Sequence, residues 1–278
     1  MSVWLIDRAG VDISVSLKSS AAEDLLLESM LALNARRVSL SRGVSLRVSG
    51  EPGGWHLDDR ETAIKRTLKL EGDIIYHLTD RIVFHIANNA KGVHCLHAAA
   101  VSHAGGVLIV PANSGAGKST FTAWLVANGF SYLTDELILL HEDGTLEGVG
   151  RPIQIKANGI DAIKHLLNTT DYAQGSLANA IPVSALGGEL AQEQDNRLAA
   201  FLFPKYKKEE EYTFREMSSA EAGLKLMNNH VNARNLADHG FRTMMELIRT
   251  TPRYELYYGG FDTLPTDFAD RLRAICAA

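Results

Sequence analysis

The chain has 278 residues, 28 Lys plus Arg against 33 Asp plus Glu for a formal charge of −5, and 46% hydrophobic residues, too apolar for disorder and long enough for one large domain or a small one followed by a large one. A charged fraction of 22%, with both signs interspersed, offers no basic field for a polyanion, so nucleic acid is not an expected partner. No apolar run reaches the roughly 18–20 residues of a membrane helix, and Met1–Arg8 lacks the basic start and apolar core of a secretory leader, so a soluble, cytoplasmic protein with no membrane partner is expected.

Residues 1–90 mix short β-like runs, Val3–Ile6, Val11–Leu17 and Val44–Val48, with a helical stretch over Ala22–Leu33 in which Leu25, Leu26, Ser29, Met30 and Leu33 fall on one face. Glu51-Pro-Gly-Gly54 reads as a turn, Glu61–Leu70 and Ile74–Ala90 as helical or mixed, and Lys91-Gly92 as a boundary. The expected organisation is a small α+β domain over 1–90 and a larger domain over 91–278. Beyond the boundary, Ala98–Val101, Gly105-Gly106 and Val107–Val110 read as a hairpin whose second strand is buried on both faces and belongs in a parallel sheet. A glycine-rich loop, a helix over Phe121–Asn128 stopped by Gly129, and a strand over Leu137–Leu140 follow. Gly159–Asn168, Ser219–Asn229 and Thr266–Ala277 look helical, while Phe201–Phe203 and Glu255–Tyr258 look extended. Cys95 and Cys276, the only two cysteines, form no disulfide framework and make no strong nucleophile.

The chemistry concentrates in Ala112-Asn113-Ser114-Gly115-Ala116-Gly117-Lys118-Ser119-Thr120. Glycines let backbone N–H groups curl around phosphates, a lysine reaches the β and γ oxygens, and a hydroxyl at the helix start meets Mg²⁺. The one departure from G-x-x-x-x-G-K-[ST] is Ala112 at the first glycine. Asn113 to Thr120 are therefore the expected ATP-binding residues, with Ser119 a ligand of Mg²⁺. After the next helix, Tyr132-Leu-Thr-Asp135-Glu136 puts two acids at a strand end; one can hold the metal, and the other can orient water or take the proton of an attacking hydroxyl. His94 and His97 have a spacing that metal sites use, but no second pair stands at zinc-finger distance. His97 reads equally as a phosphate contact or proton-transfer aid and as a satisfied core histidine.

His97-Ala-Ala-Ala-Val, the strand Gly106–Val110, Asn113–Thr120 and Leu133-Thr-Asp135-Glu136 together resemble the HPr kinase/phosphorylase family of bacterial serine kinases, in its HPr-kinase-related branch. Arg151-Pro-Ile-Gln-Ile-Lys156, Phe203-Pro-Lys-Tyr206 and Tyr254–Gly260 extend the likeness over residues 94–262; residues 1–90 stand outside it. The resemblance implies an α/β fold with a P-loop kinase core like the catalytic domain of phosphoenolpyruvate carboxykinase, preceded here by the small α+β domain, and transfer of phosphate from ATP to a seryl hydroxyl. Position by position, Asp135 stands where the family has its base and Glu136 where it has the second acid, a metal ligand; His97 falls where the family has a histidine near the phosphates. The family's long C-terminal loop that grips HPr has no clear match, so HPr is not implied as the acceptor.

Arg151 reads either as a guanidinium reaching the transferring phosphoryl group or as a surface residue before a strand, and Lys156, Lys205 and Arg234 are weaker phosphate or acceptor candidates. The basic run from Lys205 to Lys208 is cancelled by Glu209–Glu211 and reads as a solvated loop. The expected activity is that of an ATP- and Mg²⁺-dependent serine kinase acting on an acceptor protein or peptide, with residues 91–278 as the catalytic domain and residues 1–90, which carry no phosphate chemistry, docking the acceptor. A lasso-type precursor-peptide kinase and an ATPase switch without phosphotransfer are the alternatives, and a homo-oligomer is compatible with all three.

Overall fold

The computed structural model describes residues 1–112, 115–192 and 197–278 and shows a mixed α/β chain. Strands β1 (Ser2–Arg8) and β2 (Val11–Leu17) form a hairpin across Ala9 and Gly10, both at positive φ (50° and 72°), the turn geometry that matches strand twist. Ser19 accepts from the Ala22 N–H to start α1 (Ser20–Ala32), which buries Leu26 and Met30. β3 (Arg36–Val38), β4 (Val44–Glu51), β5 (Gly54–Asp59) and β6 (Ile64–Leu68) complete a sheet in the order β3-β1-β2-β4-β5-β6, in which β2 and β4 run parallel. β6 replaces the helical or mixed reading of Glu61–Leu70. The Asp59 carboxylate accepts from the N–H groups of Glu61 and Thr62 and from the Thr62 hydroxyl, closing a turn that sends Ile64–Leu68 back along β5. α2 (Glu71–Asn89) covers this sheet with Ile74, Ile75, Leu78, Ile82 and Ile86, all essentially inaccessible.

β7 (Val93–His103) and β8 (Gly106–Pro111) form the expected hairpin. After α3 (Lys118–Ala127) come β9 (Ser131–Thr134), β10 (Leu137–His141), β11 (Leu146–Val149), β12 (Ile153–Lys156), α4 (Ile160–Ile163) and β13 (Ala178–Ile181). β14 (Arg197–Tyr206), β15 (Thr213–Glu216), α5 (Ser219–Asn228), α6 (Phe241–Thr250), β16 (Arg253–Tyr258) and α7 (Phe268–Ala277) end the chain. The second sheet has the order β11-β10-β7-β8-β14-β16-β15, with β9 also on β7, while β12 and β13 pair separately. β8 is parallel to β14, as its apolar run suggests, and antiparallel to β7.

Alternation along β8 divides the second core. Leu108 and Val110 pack with Phe121, Trp124, Phe268 and Leu272 of α3 and α7 on one face; Val107 and Ile109 pack with Leu226, Met244 and Ile248 of α5 and α6 on the other. The helix expected over Gly159–Asn168 is only α4, flanked by 3₁₀ turns. A third cluster joins the two halves: Ile74, Ile75, Leu78 and Leu26 share one core with Val93, Leu137, Leu139 and Val149. Among the described residues, no helix is long and apolar enough to cross a membrane.

Candidate active site

β9 and β10 lie in line, both antiparallel to β7. Ser131–Thr134 pair with Ala100–Ser102, and Leu137–His141 pair with Val93–His97. Asp135 and Glu136 are the break between them. The Thr134 hydroxyl makes this corner, donating to the Val149 carbonyl at 2.8 Å and accepting from the Glu136 and Leu137 N–H groups at 3.0 and 3.2 Å. The cross-strand match of Leu137 with His97 then sets Glu136 beside His97.

The break turns the two acids to different tasks. Asp135 is wholly inaccessible, and every group around its carboxylate is a donor. Arg151 Nε (2.9 Å) and the Tyr132 hydroxyl (3.1 Å) face Oδ1; Ser119 Oγ (2.9 Å) and the Gln154 N–H (3.1 Å) face Oδ2. Tyr132 also lies 2.8 Å from the Arg151 carbonyl oxygen, and its phenol is pushed well above its ordinary pKa by burial and the Asp135 charge. Glu136 keeps a face in the cleft. Its Oε2 accepts from Arg151 Nη2 at 2.6 Å, and Oε1 lies 3.4 Å from His97 Nε2. Burial pushes its carboxyl up, but the charges of Arg151, His97 and Lys118 outweigh this and hold it well below the usual carboxylate range. Burial lowers the pKa of Arg151, but the charges of Asp135 and Glu136, to both of which it is bound, outweigh this and hold it above its ordinary value.

The glycine loop meets this corner at the start of α3. Gly115 and Gly117 take φ of +86° and +85°, the left-handed conformation that a side chain would strain. Ala112 is buried at the end of the strand, and Asn113 and Ser114, expected to bind ATP, lie outside the described residues. Lys118 Nζ donates to the Asp135 carbonyl at 2.5 Å and lies 3.2 Å from His97 Nε2. Burial lowers the pKa of its ammonium, against the raising charges of Glu136 and Asp135. The His97 backbone N–H donates to the Asn229 carbonyl at 2.7 Å, so the ring hangs from a strand pinned on its far edge.

Two cavities meet at the loop and share Gly115, Gly117, Thr120, Asn158 and Gly159. One, of about 570 Å³, holds Lys118, Ser119, Glu136, Arg151 and His97, with Tyr76, Gln154, Lys156 and Leu177 around them. The other, of about 690 Å³, is walled by Trp124, Tyr206, Tyr258 and Phe261 and edged by Asp161, His165 and Asp262. Its rings are contiguous: Trp124 stacks on Phe261 at 5.7 Å, Tyr258 stacks on Phe261 at 5.9 Å, and Tyr206 meets Tyr258 edge-on.

The sequence-predicted residues Gly115, Gly117, Lys118, Ser119, Thr120, His97, Asp135, Glu136 and Arg151 therefore converge, and Ala116 lies in the same loop. Lys156 joins them in the cleft, whereas Lys205 sits over the Tyr257 ring and Arg234 bonds Asn88, neither lining a cavity described here. Periodicity hides Gln154, Tyr76 and the aromatic wall, which come from elements distant in sequence; the tyrosines that end β14 and β16 are the local signal for the last. His94, three residues from His97, points the other way and packs on His230 at 5.2 Å. Among the described residues no group of three or more His, Cys, Asp or Glu side chains could hold a metal on its own. Buried Cys95 and Cys276 have thiols pushed up to about 12 and about 11, so both are inert. No family model matches the chain, and no curated protein matches it either.

Proposed function

We propose that the chain is an ATP-dependent phosphotransferase that moves the γ-phosphoryl group to a seryl hydroxyl of a protein or peptide. The observation that carries this is the pair of cavities meeting at the glycine loop. The aromatic one suits a purine nucleoside, stacking on rings with carboxylates free for ribose hydroxyls or an exocyclic amine. The other gathers a lysine, a hydroxyl at a helix start and an accessible carboxylate, which suits the reactive end of the triphosphate.

In this reading the two acids exchange the roles that the family resemblance assigns. Asp135, enclosed by four donors, orients Ser119 and Arg151 and reaches no acceptor; Glu136, in the cleft, accepts the hydroxyl proton. The acceptor oxygen bonds to the γ phosphorus as the bond from phosphorus to the β–γ bridging oxygen breaks, the proton passes to Glu136 Oε1 or Oε2, and ADP leaves with the bridging electron pair. Lys118 meets the charge on the phosphates. Arg151 holds both carboxylates in place, and His97 sits between Lys118 and Glu136. One hydroxyl and one accessible carboxylate fit Mg²⁺, which takes few protein ligands and keeps water and phosphate oxygens. Ser119, oriented by Asp135, would hold it together with Glu136, and it would neutralise charge on the phosphates.

The test is calorimetry of Mg·ATP with wild type and Lys118→Ala, followed by labelled-ATP transfer to candidate peptides with the phosphate located by mass spectrometry. Equal ATP affinity in the two proteins would remove the loop assignment. Release of phosphate to water alone would favour the ATPase switch.

A further inference from the structure

Gln154 presents a problem that the donor chemistry does not absorb. Only 5% exposed, it lines the transfer cavity, and both side-chain atoms, Oε1 and Nε2, are buried without a partner. Its backbone is fixed by the N–H bond to Asp135 Oδ2 and by the pairing of β12 with β13, so the carboxamide stands at a set place beside the catalytic corner. A buried amide with no partner is unfavourable by the full desolvation of a donor and an acceptor. A group offering an acceptor and a donor side by side relieves it, and a peptide unit is such a group.

The surroundings extend the match. Lys156 lies two residues along β12, on the same face and at the rim of the same cavity, roughly 6–7 Å further on by strand geometry. That is also the spacing of alternate residues in an extended peptide. The same cavity also has an apolar lining that is held in place: Leu177, 49% exposed and next to Ala178, the cross-strand partner of Lys156, and Tyr76 of α2. The Leu177 loop is clamped by Asp73, which accepts from the N–H groups of Ser176 and Leu177 at 2.7 and 3.2 Å and from the Ser176 hydroxyl at 2.8 Å.

We infer that this arm of the cleft reads an extended acceptor peptide: the Gln154 carboxamide pairs with one peptide unit next to the reacting serine, and Lys156 takes an acidic side chain two residues along. The inference rests on the kinase reading and names the acceptor's chemistry. A phosphate-accepting polyol or sugar would use the same base but has no peptide unit for Gln154.

The experiment uses the full chain, labelled Mg·ATP and an alanine-based peptide with one central serine, in which every other position is replaced in turn by Asp or Lys. Wild type should label best with Asp at one position, and Lys156→Glu should invert that preference to Lys. Gln154→Leu should lower kcat/KM for the peptide by about tenfold to a hundredfold, through KM, while the calorimetric affinity for Mg·ATP stays. Because Leu removes an unpaired amide, its Tm should equal or exceed that of wild type; Gln154→Asn, which withdraws the amide without removing it, should also raise KM. A Tm that falls in Gln154→Leu would make the amide structural, and unchanged KM in both variants would sink its role in recognition. If Mg·ATP binds but no peptide is labelled, the acceptor is not a peptide and the inference fails while the nucleotide site stands. If Mg·ATP does not bind, the kinase reading falls and takes the inference with it.

Discussion

Replacing each acid by its amide separates their roles. In Asp135→Asn the shape is kept, but one carboxylate oxygen becomes an NH₂ group facing an obligate donor whichever way the amide turns: Arg151 Nε on one side, or the Gln154 N–H on the other. The buried Arg151 keeps Glu136 but loses the Asp135 charge, and breaking a buried ion pair from one side costs about 3–5 kcal/mol. At about 2–4 °C of Tm per kcal/mol for a chain approaching this size, Tm should fall by about 6–20 °C. Mg·ATP affinity should fall with it, since Ser119 loses its acceptor or its orientation. In Glu136→Gln the amide oxygen can still accept from Arg151 while its NH₂ faces the His97 ring, and the side chain keeps a solvated face, so Tm should fall by less than in Asp135→Asn. Transfer should nevertheless drop by about 10²–10⁴-fold, the usual contribution of a general base. Differential scanning calorimetry, nucleotide calorimetry and a single-turnover transfer assay read all three quantities. The reasoning is refuted if Asp135→Asn melts like wild type, binds Mg·ATP normally and loses only transfer; Asp135 would then be the base.

The aromatic cavity predicts that Tyr206→Ala, at a half-exposed ring, weakens ADP binding by about fivefold to a hundredfold, the range of base stacking, and leaves pyrophosphate binding unchanged in the same calorimeter. Because Arg151, His97 and Lys118 hold the Glu136 carboxyl below its usual range, the base is ionised at any pH above the ordinary carboxylate value of about 4.3; kcat/KM should show no acid limb from Glu136 between about pH 5 and 7. An acid limb there that Glu136→Gln abolishes would contradict it. A chain beginning at Lys91 should fail to give a cooperative melting transition, because it uncovers Leu137, Leu139 and Val149, at most 1% exposed in the complete chain; a sharp transition with intact Mg·ATP binding would show the first ninety or so residues to be detachable.

What was legible was local. Gly115, Gly117, Lys118 and Ser119 announce a glycine-rich strand-to-helix turn because the backbone demands of that turn fall on adjacent residues. Capping shows too: Ser218 and Glu221 form a reciprocal box at the start of the helix expected over Ser219–Asn229. β6 was hidden because its direction is set by a turn around Asp59, whose other partners, Arg81 and His85, lie on α2. α6 went unread although Phe241, Met244, Leu247 and Ile248 recur at helical spacing, and Met244, Leu247 and Ile248 pack into the core. The division of labour between Asp135 and Glu136 could not be read from two adjacent letters, because it depends on Thr134 bonding Val149 and on which strand edge each acid meets.

The same contacts explain why the first sheet bears on the chemistry although none of its strands carries a cleft residue. A Cβ on Gly150 would lie 2.3 Å from the Ala32 carbonyl oxygen at the end of α1, so the residue before Arg151 has to be glycine for the chain to pass the helix. Gly72, at the start of α2, would similarly place a Cβ 2.6 Å from the backbone of Gln174, and its N–H donates to the Gln174 carbonyl at 2.7 Å. These two close approaches seat α1 behind the arginine that binds both acids and seat α2 behind the loop that carries Leu177. α2 also brings Tyr76 to the cavity. A side chain at either glycine would push a helix of the first unit away from the second, so the effect should be felt first in the acceptor arm. The aromatic cavity, built by α3, β14, β16 and the segments after β12 and β16, has no lining residue from the first unit. On the kinase reading, the nucleotide half of the site is thus internal to the second unit, and the acceptor arm is the part to which the first unit contributes, through Tyr76 and the Asp73 clamp on the Leu177 loop.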